Sequence, residues 1–181
     1  MIIARDNYLE ANTFDALIDY CKSDFQIVKM GEKEFSVLET PKDLLPLLEV
    51  EGHNLILSFI RSAHENFDTD LRIHADHIIE GKKAVLASVL YIEVKDSGTA
   101  FYSHKQYGSI LPVTVSNEEF DRLIIEDSND ESKWIMTDFI SGVPNRLLMY
   151  DANMFHSKYP KVIKNGVRKV LVNFYERAEM P

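Results

Sequence analysis

Arg72-Ile73-His74-Ala75-Asp76-His77 is the stretch on which the reading of this chain turns. On an extended backbone successive side chains alternate between faces, so His74 and Asp76 point one way while Ile73 and Ala75 point the other. An imidazole and a carboxylate two residues apart on one face can bind the same ion. A second imidazole from another strand completes a two-histidine, one-carboxylate face, which leaves roughly three positions of an octahedral ion open and suits non-haem Fe(II) and oxygen. His-x-Asp alone is weak in a chain with 6 histidines and 29 acidic residues, so the surrounding pattern has to decide. His77 points away from the pair if the strand continues.

The far end of the chain supplies the rest. Arg146–Tyr150 reads as a strand, His156 follows it, and Arg168 opens a last strand through Tyr175. In that strand Arg168 shares a face with Val170, Val172 and Phe174. A guanidinium heading an apolar face is costly if buried without a partner. It is therefore either a surface residue at the strand's start or a fork-shaped partner for a carboxylate. Between the two ends lie a β-rich run, Ala84–Val94, a turn at Asp96-Ser97-Gly98, a strand at Thr99–Ser103, a helix at Asn117–Ile125 and a strand at Trp134–Phe139. Tyr91 shares a face with Val85, Ala87 and Val89, the pattern of a core aromatic. His104, after Tyr102-Ser103, reads as polar surface.

The first third reads differently. Asn12-Thr13 can cap a helix through Lys22, with Phe14, Leu17, Ile18 and Cys21 on one side. Phe25–Thr40 holds two β-like runs about a turn at Gly31-Glu32. Pro41 opens a helix through Leu48, and Leu55, Ile56, Phe59 and Ile60 predict another over His53–Asn66. The expectation is a single domain, 1–181, mainly β with N-terminal helices. Residues 1–67 form a helical support and 68–181 a β-sandwich or barrel.

Composition narrows the function. Hydrophobic residues make up 45% and charged residues 27%, ordinary for a soluble domain, and no apolar run approaches the roughly 20 residues that cross a bilayer. Cys21 is the single cysteine, which excludes internal disulfides and makes the cytoplasm the expected location. A net charge of −9 opposes binding to a nucleic-acid backbone. An acidic run, Glu118–Glu131, and a basic run, Lys158–Lys169, read as solvated surfaces, or in the second case as a rim beside a site for an anion.

Taken in order, these features resemble the 2-oxoglutarate and Fe(II)-dependent dioxygenases, in particular their prolyl-hydroxylase-like branch. The resemblance covers residues 70–176 and implies a double-stranded β-helix, a jelly-roll, cupin-like core. It makes His74, Asp76 and His156 the catalytic metal ligands. Tyr91 and Arg168 would hold the far end of 2-oxoglutarate, and Gly98 would open the short strand that follows. The implied cofactors are Fe(II), 2-oxoglutarate as cosubstrate and O2, with ascorbate as a stimulant. The implied reaction is hydroxylation of a protein or peptide side chain, proline among them, or of a small metabolite, with release of succinate and CO2. Ser97 stands where many relatives carry a second glycine, and Val170 where many carry Ser or Thr. Two other classes stay open: a non-catalytic cupin-like binding domain, and a cupin metalloenzyme that does not use 2-oxoglutarate.

Overall fold

The computed structural model describes residues 1–181 apart from 31, 32, 67, 69, 113–115, 165, 180 and 181; the Gly31-Glu32 turn thus lies outside the described residues. Its strands are β1 (Ile2–Arg5), β2 (Gln26–Met30), β3 (Lys33–Glu39), β4 (His53–Ala63), β5 (Ile78–Ile79), β6 (Lys82–Lys83), β7 (Leu86–Glu93), β8 (Gly98–His104), β9 (Trp134–Ser141), β10 (Leu147–Asp151), β11 (His156–Tyr159) and β12 (Arg168–Arg177). Among the described residues helix is confined to α1 (Ala11–Tyr20), a short α2 (Asn117–Asp121) that widens into a π turn at Arg122–Glu126, and a few 3-10 turns.

Seven strands make one antiparallel sheet in the order β1-β10-β7-β12-β4-β3-β2, and three make a second, β11-β8-β9. The sheets face each other. Phe101 of β8 meets Tyr150 of β10 edge-on, with ring centroids 5.2 Å apart, inside a cluster that also holds Val89, Tyr91, Leu148, Val170 and Phe174. β7, Leu-Ala-Ser-Val-Leu-Tyr-Ile-Glu, is buried on both faces up to its last residue, as its near-continuous apolar run requires. Ala87, Val89 and Tyr91 turn into the barrel. Leu90 and Ile92 turn outward under Phe14 and Leu17 of α1 and under Leu44 and Leu48, where each buried side chain contributes roughly 1.5–3 kcal/mol.

Gly98 is where β8 presses closest on β9. A Cβ there would stand 2.2 Å from the Ile140 carbonyl oxygen, so the position admits no side chain.

Three sequence expectations change. His53–Asn66 is not a helix: β4 runs through it, paired with β12 from Arg168↔Ala63 to Arg177↔His53 and with β3 on its other edge. Its apolar residues fit both periods, as short runs do, and hydrogen bonds available on both edges select the strand. Pro41–Leu48 forms only a 3-10 turn at Leu45–Leu48. Leu71–His77 is extended but joins the second sheet at one point, the His74↔His156 bridge. Residues 1–67 accordingly supply β1, β2, β3 and β4 to the large sheet, while α1 covers its outer face. No helix among the described residues is long and apolar enough to cross a membrane.

Candidate metal centre

The His74↔His156 bridge brings two distant segments into one site. His74 N–H donates to the His156 carbonyl (3.0 Å) and His156 N–H to that of His74 (2.9 Å), and Asp76 N–H donates to Ala152 (2.7 Å). His74 and Asp76 therefore share a face, as alternation predicts, and β11 presents His156 to them. His74 Nε2 lies 3.4 Å from Asp76 Oδ1, and His156 Nε2 lies 3.1 Å from Asp76 Oδ2. One ligand atom from each of the three falls within 4.8 Å of the others. Adjacent corners of an octahedron with bonds of about 2.1 Å are about 3 Å apart, so the set fits a single ion.

Both imidazoles are oriented for that task. His74 Nδ1 is 3.1 Å from the Arg72 carbonyl, and His156 Nδ1 is 2.9 Å from the Met154 carbonyl. A carbonyl only accepts, so each Nδ1 carries a proton, which leaves each Nε2 as the ring atom able to bind an ion. Burial lowers the His74 pKa despite the carboxylate beside it. In His156 burial pulls the same way, but Asp76 outweighs it and lifts the imidazole above its ordinary value. Burial would raise Asp76, yet the two imidazoles hold it below the usual carboxylate range.

Arg168 lines the same cavity. It is 5% exposed, and among the described residues no carboxylate lies within ion-pair distance of it. Its Nη2 donates weakly to Thr99 Oγ1 at 3.4 Å, its Nε is buried with no hydrogen bond among those residues, and its guanidinium lies 5.6 Å from the centre of the Tyr91 ring. Burial depresses its pKa, with Tyr91 opposing. The resemblance pairs Tyr91 with Arg168, and the structure brings them together, with the Tyr91 hydroxyl 2.7 Å from Thr99 Oγ1. Thr99 and Tyr150 reach the cavity instead, and the Tyr150 hydroxyl stands 3.1 Å from His156 Nε2.

Sequence reasoning also passed over Arg61, Asp70 and Arg72, which line this cavity with Lys158. The basic run divides. Lys158 and Arg168 face the cavity, Lys161 pairs with Glu131, and Lys169 lies on the outer face with Glu93. His77 packs edge-on against Phe120, away from the triad. His104 is not surface: it is 3% exposed, with Nε2 3.1 Å from Asp127 Oδ2 and Trp134 edge-on against its ring.

No protein-family model matches the sequence, and no curated protein matches it. Solved structures do. The chain is similar to the non-haem α-ketoglutarate-dependent carbocyclase SnoK from nogalamycin biosynthesis, at 13% identity and a TM-score of 0.69, over 98% of this chain and 80% of that one. It is similar to a Pseudomonas putida prolyl-4-hydroxylase, at 10% identity and 0.58, over 98% and 93%. HygX from Streptomyces hygroscopicus, solved with nickel, 2-oxoglutarate and hygromycin B, matches at 10% identity and 0.57, over 98% and 83%. What the chain shares with these structures is the fold.

Proposed function

We propose that this chain is a 2-oxoglutarate- and Fe(II)-dependent oxygenase. His74, Asp76 and His156 hold the metal, and Arg168 receives the distal carboxylate of 2-oxoglutarate. The observation that carries this reading is Arg168: a buried guanidinium with no acidic partner among the described residues, in the same cavity as three converging ligand atoms. A metal site alone needs no such residue, whereas a dicarboxylate cosubstrate supplies the missing acceptor. In this reading residues 68–181 are the catalytic core, and β4 lends Phe59 and Arg61 to the cavity.

The chain's own share is placement. The Arg72 and Met154 carbonyls fix the ligand tautomers. Thr99 and the Tyr91 ring steady Arg168, and Tyr91 acts through these contacts rather than by touching the cosubstrate. Val89, Val170 and Phe174 line the cavity with apolar surface, which keeps water from the reacting centre. When bound, iron would supply the oxidation with O2 as oxidant: one oxygen atom would enter succinate as 2-oxoglutarate loses CO2, and the other would go to substrate, with hydroxylation as the leading outcome. A small organic substrate is favoured by the likeness to SnoK and HygX. A protein side chain is the second reading, favoured by the likeness to the prolyl-4-hydroxylase.

Anaerobic calorimetry on the Fe(II)-loaded protein tests this directly. 2-Oxoglutarate should bind, and Arg168→Ala should weaken it by at least about 30-fold, the equivalent of about 2 kcal/mol for an unpaired charge. Succinate should form once air is admitted. Wild-type protein that binds Fe(II) but neither binds 2-oxoglutarate nor forms succinate would return the chain to the binding-domain or other-metal classes.

A further inference from the structure

Beside the triad the cavity carries a second set of charges that neither the metal nor 2-oxoglutarate uses. Arg61 grips Asp68 through Nε and Nη2, at 2.7–3.1 Å. Arg72 grips Asp70 through Nε (2.8 Å) and Nη2 (3.0 Å). Lys158 reaches 3.5 Å from Asp68 and donates to the Asp70 carbonyl, and Lys33 stands 4.0 Å from Asp70. Each carboxylate is thus shared by two cations, Asp68 by Arg61 and Lys158, Asp70 by Arg72 and Lys33. Among the described residues, the Nη1 edge of each guanidinium makes no hydrogen bond. The side chains of Arg61, Arg72 and Lys158 are 19%, 21% and 7% exposed, so the group runs from the cavity toward solvent. Beside Arg61 on the large sheet stand Phe59, Val172 and Phe174, with the two phenyl rings 6.4 Å apart.

Four cations against two acids leave surplus positive charge at this site in a chain whose net charge is −9. A neutral substrate seated over Lys158 would bury that surplus without an acceptor, which is costly, whereas an oxyanion would take up the free guanidinium edges as charge-assisted bonds.

We propose that the primary substrate is an anionic small molecule, a carboxylic acid or a phosphate ester with an apolar body. Its oxyanion docks on Lys158, Arg61 and Arg72, and its body lies against Phe59, Val172 and Phe174. The proposal rests on the oxygenase reading above and names the substrate class for that site. Asp68 and Asp70 hold the cations in place and offset two of the four charges.

The test uses the full chain loaded anaerobically with Fe(II) and saturating 2-oxoglutarate, so that Arg168 is occupied, and titrated with hexanoate, hexyl phosphate, hexanol and hexylamine. At least one of the two anions should bind at least ten times more tightly than hexanol and hexylamine, and which one does so separates carboxylate from phosphate. Lys158→Met, and independently the more exposed Arg72→Gln, should each reduce that affinity about ten-fold, with melting curves confirming that the variants are folded. Equal binding of anion and alcohol, no anion binding, an anion that further 2-oxoglutarate displaces, or folded variants that keep the full preference would each overturn the proposal. If 2-oxoglutarate itself fails to bind, the oxygenase reading falls first; if it binds and the anion preference is missing, only this inference falls.

Discussion

His104 and Asp127 lie 3.1 Å apart, the same distance as His156 and Asp76, and both pairs are largely shielded from solvent. Their hydrogen bonding separates them. His104 Nε2 faces Asp127, and its Nδ1 accepts from the Gln106 N–H at 3.2 Å, so both ring nitrogens are used and Trp134 closes the site. At the other pair, backbone carbonyls accept from Nδ1 of both imidazoles, and a third group, His74, brings its Nε2 to 3.4 Å from the same carboxylate. The first pair is enclosed as a dyad, whereas the second converges with a further imidazole in a set whose ligand atoms lie within 4.8 Å of one another. Residue type and distance do not distinguish them; the fate of each imidazole's second nitrogen does.

The largest effect separating the pairs should come from Asp76→Ala. Loss of a group that merely orients a metal-binding side chain costs roughly 10–100-fold in metal affinity or activity, so loss of a ligand should cost at least about 100-fold in both. Metal analysis and succinate release would read this, and His104→Asn should still bind one Fe(II) per chain. Metal loss in His104→Asn would erase the distinction.

His104→Asn should instead lower stability. A buried bond to a carboxylate is worth about 1.5–3 kcal/mol, or roughly 3–12 °C in melting temperature for a chain of this size. A calorimetric scan showing no shift would mean the dyad is not structural.

A smaller effect lies in the pH dependence. Burial lowers the His104 pKa against the pull of Asp127, so the unfolded chain binds this proton more readily than the folded one. Its contribution to stability is therefore fully present above the unfolded imidazole value of about 6.5 and is lost as pH falls from there through the folded pKa. Denaturant titrations of wild type and His104→Asn should converge on acidification, and parallel curves would remove His104 as the cause.

The smallest change expected is for Tyr91→Phe, whose lost hydroxyl touches Thr99 and not the cavity. 2-Oxoglutarate affinity should fall by less than about 10-fold, since one neutral hydrogen bond is worth about 1 kcal/mol. A loss as large as that of Arg168→Ala would make Tyr91 a direct ligand.

The features legible in the sequence are those that depend on neighbours along the chain. Alternation alone places His74 and Asp76 on one face, and the apolar company of Arg168 singles it out as either a surface cation at the strand's start or one that needs a carboxylate partner. The features that were not legible depend on pairing across the chain. β4 is a strand because β12, more than a hundred residues away, lies beside it. Tyr91 and Tyr150 both alternate into the barrel, and only the register Leu147↔Leu90 and Tyr150↔Ala87 puts one hydroxyl against Thr99 and the other beside His156. Arg61 was hidden by the helical period assigned to its segment, and His104 by a partner that lies 23 positions on.

β12 lies in the middle of the large sheet, between β7 and β4, although it comes last among the strands along the chain. Without it the sheet is two separate ribbons, β1-β10-β7 and β4-β3-β2, each with a raw edge, and the cavity lacks Arg168, Val170, Val172 and Phe174 together. During synthesis, both ribbons must wait for residues 168–177 to emerge before either edge is capped. His74, Asp76 and His156 can meet before Arg168 arrives, so the cavity is completed only when the keystone strand is seated. Such closure between distant segments is intrinsically slow.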